Sequence, residues 1–301
     1  MSARKSGFAE VDGAKIYYEV EGSGDPVVLI HQRGVDLRVW DDQSPAFSKR
    51  YTVVRYDRRH WGKSQVESWG YPAAPEDCDL ESLGQWLEDQ PLSPAPYEDL
   101  RELLDYLGIV RAHLLGLHDG GEVALEFALE YPQRVGGLVL VDTVVPSAGS
   151  AQQFEDLAER GLHKAAELQE DVLEEALGKV DVTEIVEWVL DDPSYAASTE
   201  ATRQRLRRIY ADNASANLMP GDHNVRRMSP PAGERLEDVK APTLLILTGE
   251  RPPYVSELDR ALAEGIGAPT TVVTMPDASP TVNMDRPEEF NRTVINFLDD
   301  L

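Results

Sequence analysis

His118 is the side chain in this sequence best placed for proton chemistry. It stands in the run Gly116-Leu117-His118-Asp119-Gly120-Gly121, after the apolar stretch HLLGL at 113–117 and at the head of the helix-patterned GGEVALEFALEY. Glycines on both sides permit a sharp turn and close helix–strand packing, so residue 118 is expected to project from the turn. A helix amino end disfavours imidazolium, which suits the ring to a general-base role. Asp142 lies 24 positions further on, in GGLVLVDT. If it reaches the imidazole, it fixes the tautomer and raises the basicity. Asp119 either caps the helix or takes part directly. The loop after PVVLI at 26–30 carries two side-chain donors, Gln32 and Arg33. The Arg33 fork suits a planar carboxylate, phenolate or enolate, unless it pairs with nearby Asp36, Asp41 or Asp42.

Other chemistries find less support. The single cysteine, Cys78, rules out an intramolecular disulfide and four-cysteine metal sites. The sequence has no H-x-H, H-E-x-x-H, calcium loop, Walker loop or dinucleotide fingerprint, so neither a metal nor a cofactor is expected. A net charge of −25, from 54 acidic and 29 basic residues, repels nucleic acid and anionic membranes. The acid clusters at 67–105 and 155–200 carry interleaved apolar residues and read as solvated helix faces. With no long apolar run and no signal-like start, the expectation is a soluble cytoplasmic protein acting on a small molecule, with a homodimer left open.

The elements that must position these residues alternate. Phe8–Val11 and Lys15–Val20 read as a hairpin turning at Asp12-Gly13. Continuous apolar runs at 26–30, 52–57, 113–117, 136–143, 243–250 and 270–276 read as buried strands. Helical patterns at 98–109, from 120, at 255–264 and at 287–297 separate them. This is the pattern of a parallel sheet covered on both faces. Residues 147–236 are helix-patterned and acidic without a strand candidate. The expected organisation is therefore an α/β core at 1–146 and 237–301, divided by a helical cap at 147–236 over the crevice where such sheets bind ligands.

In this order, LIHQRG, YDRRHWGKS, LGLHDGG, YPQRVGGLVLVDT, APTLLILTGE and RPEEFNRTVINFL resemble the α/β-hydrolase fold superfamily over nearly the whole chain. The resemblance implies a mostly parallel eight-stranded sheet with helices on both faces and a cap. It also places a nucleophile on the elbow, an acid three residues beyond Gly249 and a histidine after the last strand. This sequence has His118, Pro252 and Pro280 at those positions. The resemblance further assigns the His31–Gly34 loop to the oxyanion region, and Asp57, Arg58 and Arg59 to a structural run. His31, Trp61, Tyr254 and His223 are candidate pocket walls, and Asp142 matches the acid of relatives with a dehalogenase-like triad.

With proline at two triad positions, covalent acyl transfer of the serine type is not expected, and the standard Ser-His-Asp class is set aside. The preferred expectation is a cofactor-free, non-hydrolytic acid/base enzyme of cyclase, lyase or rearrangement type. It would act on an apolar or aromatic molecule, as in natural-product biosynthesis, with His118 as base. The alternatives are hydrolysis or epoxide or lactone opening by a water that His118 and Asp142 activate, and a non-catalytic binding protein with a vestigial pocket.

Overall fold

The computed structural model describes residues 4–66, 92–143, 145, 186–187, 190–191, 197–213, 225–249 and 253–301. The strands are β1 (Lys5–Val11), β2 (Ala14–Gly22), β3 (Pro26–Ile30), β4 (Thr52–Tyr56), β5 (Gln65–Val66), β6 (Ala112–Leu117), β7 (Val135–Val141), β8 (Thr243–Thr248) and β9 (Thr270–Met275). The helices are α1 (Ser44–Phe47), α2 (Pro96–Tyr106), α3 (Asp119–Glu130), α4 (Glu200–Asp212), α5 (Pro253–Gly265), α6 (Val282–Asp285) and α7 (Pro287–Asp299). Eight strands form one sheet in the order β1-β2-β4-β3-β6-β7-β8-β9, and the two-residue β5 pairs with β2. The β1–β2 hairpin and the β2–β4 pairing are antiparallel, and every pairing from β4 through β9 is parallel. The expected mostly parallel α/β architecture is present.

The apolar runs are continuous because both faces of the sheet are buried. Val28, Ile30, Leu114, Leu138, Leu140 and Leu245 face a core closed by α2, α3 and α5. Their neighbours Val27, Leu29, Leu115, Leu117, Val139, Val141, Leu244 and Ile246 face the opposite core, closed by α1, α4 and α7. Successive side chains alternate between the two, as the two-residue strand period requires. The parallel strands from β3 to β8 therefore end along one edge, and the loops after them gather there.

Of the expected cap, α4 is helical, and the described residues of 147–236 contain no strand beyond a single parallel bridge from Val225 to Ser93. The remaining cap residues, including His223, lie outside the described residues. The helix α4 is tied firmly to the core. Arg205 pairs with Asp42 at 2.6 Å, and Arg38 pairs with Asp212 at 2.6 Å. The Asn213 carboxamide donates to Asp36 at 2.9 Å and accepts from the Gly62 N–H at 2.8 Å. Not every acid in the first cluster is a solvated face, since Asp99 is buried against Arg59 at 2.7 Å.

Candidate functional site at the elbow

Strand β6 ends in a backbone that few L-residues adopt: His118 has φ 49° and ψ −118°, directly before α3. The surroundings over-determine this turn. A Cβ on Gly116 would strike the Gly120 carbonyl, one on Gly120 would come within 2.6 Å of the Ile30 and His31 carbonyls, and one on Gly121 would strike Thr143. The three glycines are thus required by the contact of α3 with β3, β6 and β7. The His118 N–H donates to the Val141 carbonyl, and its carbonyl accepts from the Gly121 N–H, both at 2.9 Å. Together these bonds seat the elbow between β7 and the first turn of α3.

Asp142 closes β7 with φ 47° and is buried. Its N–H donates to the Ile246 carbonyl at 2.9 Å. Its carboxylate accepts from the Thr248 N–H at 2.9 Å and from the Thr248 hydroxyl. These bonds turn the carboxyl group toward β8, while the Asp142 backbone adjoins the elbow through Val141.

Asp119 joins three segments. One carboxylate oxygen accepts from the Arg33 backbone N–H at 2.8 Å, and the other accepts from the Arg58 guanidinium at 2.6 Å. Burial alone would raise its pKa, but Arg58 and Arg33 outweigh that and hold it near 2. Asp119 is therefore an anion that pins the loops after β3 and β4 to the head of α3. This ion pair joins residues 61 apart in sequence and escaped the sequence reading, which saw in Asp119 a helix cap or a direct participant. The available signal was the neighbouring placement of β3, β4 and β6 that the apolar runs imply.

His31 is fully buried, and both ring nitrogens are engaged. Nδ1–H donates to the Gln32 carbonyl at 2.7 Å, and Nε2 accepts the Arg58 N–H at 2.9 Å. Burial, with the Arg58 charge, lowers its pKa to about 4, so the ring is neutral. It is a strut between two loops and does not present a nitrogen to the crevice. Trp61 is buried in the turn after β4, whereas Tyr254 lies in the first turn of α5 with its side chain outside the described residues. Gln32 is 2% exposed, and its carboxamide oxygen has no partner among the described residues.

The three acids considered for Arg33 are held by other arginines: Asp36 by Arg38 at 2.6 Å, Asp41 by Arg55 at 2.5 Å and Asp42 by Arg205 at 2.6 Å. Arg33 instead lines a cavity of about 20 Å³ with Arg58, Asp119, Glu122, Glu126 and Arg227. Burial and the adjacent Glu122 charge push Glu126 up to about 8. Among the described residues no three His, Cys, Asp or Glu converge as a metal site, and no helix is long and apolar enough to cross a membrane.

The loop after β9 is built differently. Pro280 sits half-buried there, beside a network centred on Asp285. The Asp285 carboxylate accepts from the Ser279 hydroxyl, the Thr281 hydroxyl at 3.2 Å, the Ser198 N–H at 2.6 Å and the Thr199 hydroxyl at 3.1 Å. Pro252 lies outside the described residues.

The sequence profile of the alpha/beta hydrolase family matches residues 27–293. A 2-hydroxy-6-oxononadienedioate/2-hydroxy-6-oxononatrienedioate hydrolase of Burkholderia vietnamiensis is 29% identical, covering 94% of this chain and 91% of its own. A 2-hydroxy-6-oxo-6-phenylhexa-2,4-dienoate hydrolase of Comamonas testosteroni is 27% identical over the same shares of the two chains. The solved structure of a Pseudomonas aeruginosa hydrolase superposes with a TM-score of 0.67 at 27% identity, covering 97% of this chain and 98% of that one. These relatives overturn the preference for non-hydrolytic cyclase, lyase or rearrangement chemistry, because kinship to hydrolases runs through nearly the whole chain. The expectation of an uncertain enzyme standing apart from the classical hydrolases is overturned by the same finding, since these relatives are hydrolases by name.

Proposed function

The chain belongs to the alpha/beta hydrolase family, and we propose that it hydrolyses an activated carbonyl of a small carboxylate-bearing molecule, with His118 as the base. The substrate class follows the two named relatives, a 2-hydroxy-6-oxo-dienoate, and a lactone or ester of similar size presents the same kind of activated carbonyl. The observation that carries the reading is the strained elbow at His118, φ 49°, held by three glycines that packing requires. Such strain persists where the projecting side chain is used.

In this mechanism His118 takes a proton from a water whose oxygen bonds to the carbonyl carbon, and the carbonyl electron pair moves onto its oxygen. The N–H of Asp119, first in α3 and so outside the helical hydrogen-bond ladder, supports that oxyanion with the loop at 32–34. Collapse re-forms the carbonyl and breaks its bond to the leaving group, which receives the proton from His118. Asp142, buried beside the elbow, is the acid proposed to orient the ring. Arg33 orients the substrate carboxylate, with Trp61, Tyr254 and His223 as walls and 147–236 as the cap.

The test is turnover of 2-hydroxy-6-oxo-6-phenylhexa-2,4-dienoate and of a small enol-lactone, followed by product analysis, for wild type and His118→Ala. Hydrolysis by the wild type, lowered roughly 10²–10⁴-fold in the variant, is expected. Binding without turnover would favour the non-catalytic alternative.

A further inference from the structure

The geometry points to Gln32 as a catalytic residue that stabilises the oxyanion through its side-chain carboxamide, in place of a loop backbone N–H. This inference rests on the hydrolase reading above. The pairing of β3 with β6 sets Ile30 opposite Gly116, and Gln32 and His118 each stand two residues further on, in the turns that leave the two strands. The backbone there has no slack. Gly120 of α3 leaves no room for a Cβ against the Ile30 and His31 carbonyls, and His31 Nδ1–H holds the Gln32 carbonyl at 2.7 Å.

Within this loop the Arg33 N–H is already committed to the Asp119 carboxylate at 2.8 Å. An ionised carboxylate is a stronger acceptor than a substrate carbonyl, so that N–H is not released to the reaction. The Gln32 carboxamide is the opposite case. It is 2% exposed, and its oxygen has no partner among the described residues. A buried amide group left unsatisfied costs stability, and such groups persist at sites where a ligand completes them. A half-turn about the terminal bond exchanges the oxygen for the NH2 group, so the carboxamide can donate as charge grows on the carbonyl oxygen. Asp119 thus acts twice: its N–H faces the oxyanion, and its carboxylate diverts the Arg33 N–H and leaves the second donor to Gln32.

The experiment compares wild type, Gln32→Leu and the size-matched Gln32→Glu in 4-nitrophenyl butyrate hydrolysis and in binding of butylphosphonate, a tetrahedral anion. Loss of one oxyanion donor predicts a kcat lower by about 10²–10³-fold in Gln32→Leu, with KM within about threefold. Butylphosphonate affinity should fall at least about tenfold, and Gln32→Glu should lose more at neutral pH because a carboxylate cannot donate. The thermal midpoint of Gln32→Leu should equal or exceed that of the wild type, since an unpaired buried amide is replaced by an apolar group; a merely structural glutamine would lower it. Retention of kcat within about threefold in a folded variant overturns the assignment. Should the wild type not hydrolyse the ester, the hydrolase reading fails separately, and the phosphonate arm decides for Gln32. Weaker binding by Gln32→Leu supports it, whereas equal binding, or none by the wild type, overturns it.

Discussion

The two sides of the crevice are built on opposite terms. On the elbow side, β6 and β7 each end in a residue with positive φ, His118 at 49° and Asp142 at 47°, and Gln32 keeps a buried oxygen without a partner among the described residues. On the far side, after β9, Ser279, Thr281, Ser198 and Thr199 converge on Asp285 and tie the segment before α4 to the core. Strain and unsatisfied polar groups cost stability, whereas converging hydrogen bonds contribute it. The contrast supports the proposed chemistry on the elbow side, whereas the far side anchors the segment before α4.

The hardest way to break this contrast is to disturb the elbow frame. Gly116→Ala puts a methyl group into the Gly120 backbone, which cannot yield, and should cost ~3 kcal/mol or more in denaturant unfolding. Next in size is Asp119→Asn, which removes the ion pair with Arg58. That pair is partly exposed on the Asp119 side, so a loss of about 1.5–3 kcal/mol at pH 7 is expected. The folded pKa near 2 lies below the ordinary 3.8, so this stability is present above pH 3.8 and disappears as pH falls toward 2. The acid unfolding limb of Asp119→Asn should be correspondingly shallower.

Glu126 runs with the opposite sign. Its pKa, near 8 against an ordinary 4.5, means that the folded protein keeps a proton the unfolded chain has lost. The proton's contribution is full below pH 4.5 and is lost as pH rises through 8. Glu126→Gln should therefore exceed wild type in stability at pH 9 by roughly 1–3 kcal/mol, read by chemical denaturation. On the far side, Asp285→Ala should cost about 1–2 kcal/mol and loosen α4, measured as faster amide exchange at Thr202 and Arg203. The smallest effect belongs to Pro280→Ala, expected within about 0.5 kcal/mol because that residue shapes a turn and carries no polar contact.

Much of this framework was legible in the sequence. Alternating apolar runs located the strands of both cores, since a two-residue period over a doubly buried sheet leaves runs such as PVVLI and TLLIL with no other fold to serve. The glycines around His118 mark the elbow in the sequence itself, because close packing requires Gly116, Gly120 and Gly121 together. The site's connections were not legible. Asp119 with Arg58 and Asn213 with Asp36 and Gly62 join residues 61, 177 and 151 positions apart, and no local pattern announces such pairs. The reaction class was not legible for a related reason: the prolines at 252 and 280 are local features, whereas the kinship to hydrolases is spread over residues 27–293.

The central claim is that His118 is held under strain in order to work, and His118→Gly tests it most directly. Glycine adopts φ 49° freely, so the variant should gain ~1 kcal/mol in unfolding free energy. Removal of the base should at the same time lower hydrolytic turnover by at least about 10²-fold. A folded His118→Gly protein with turnover near wild type would contradict the account.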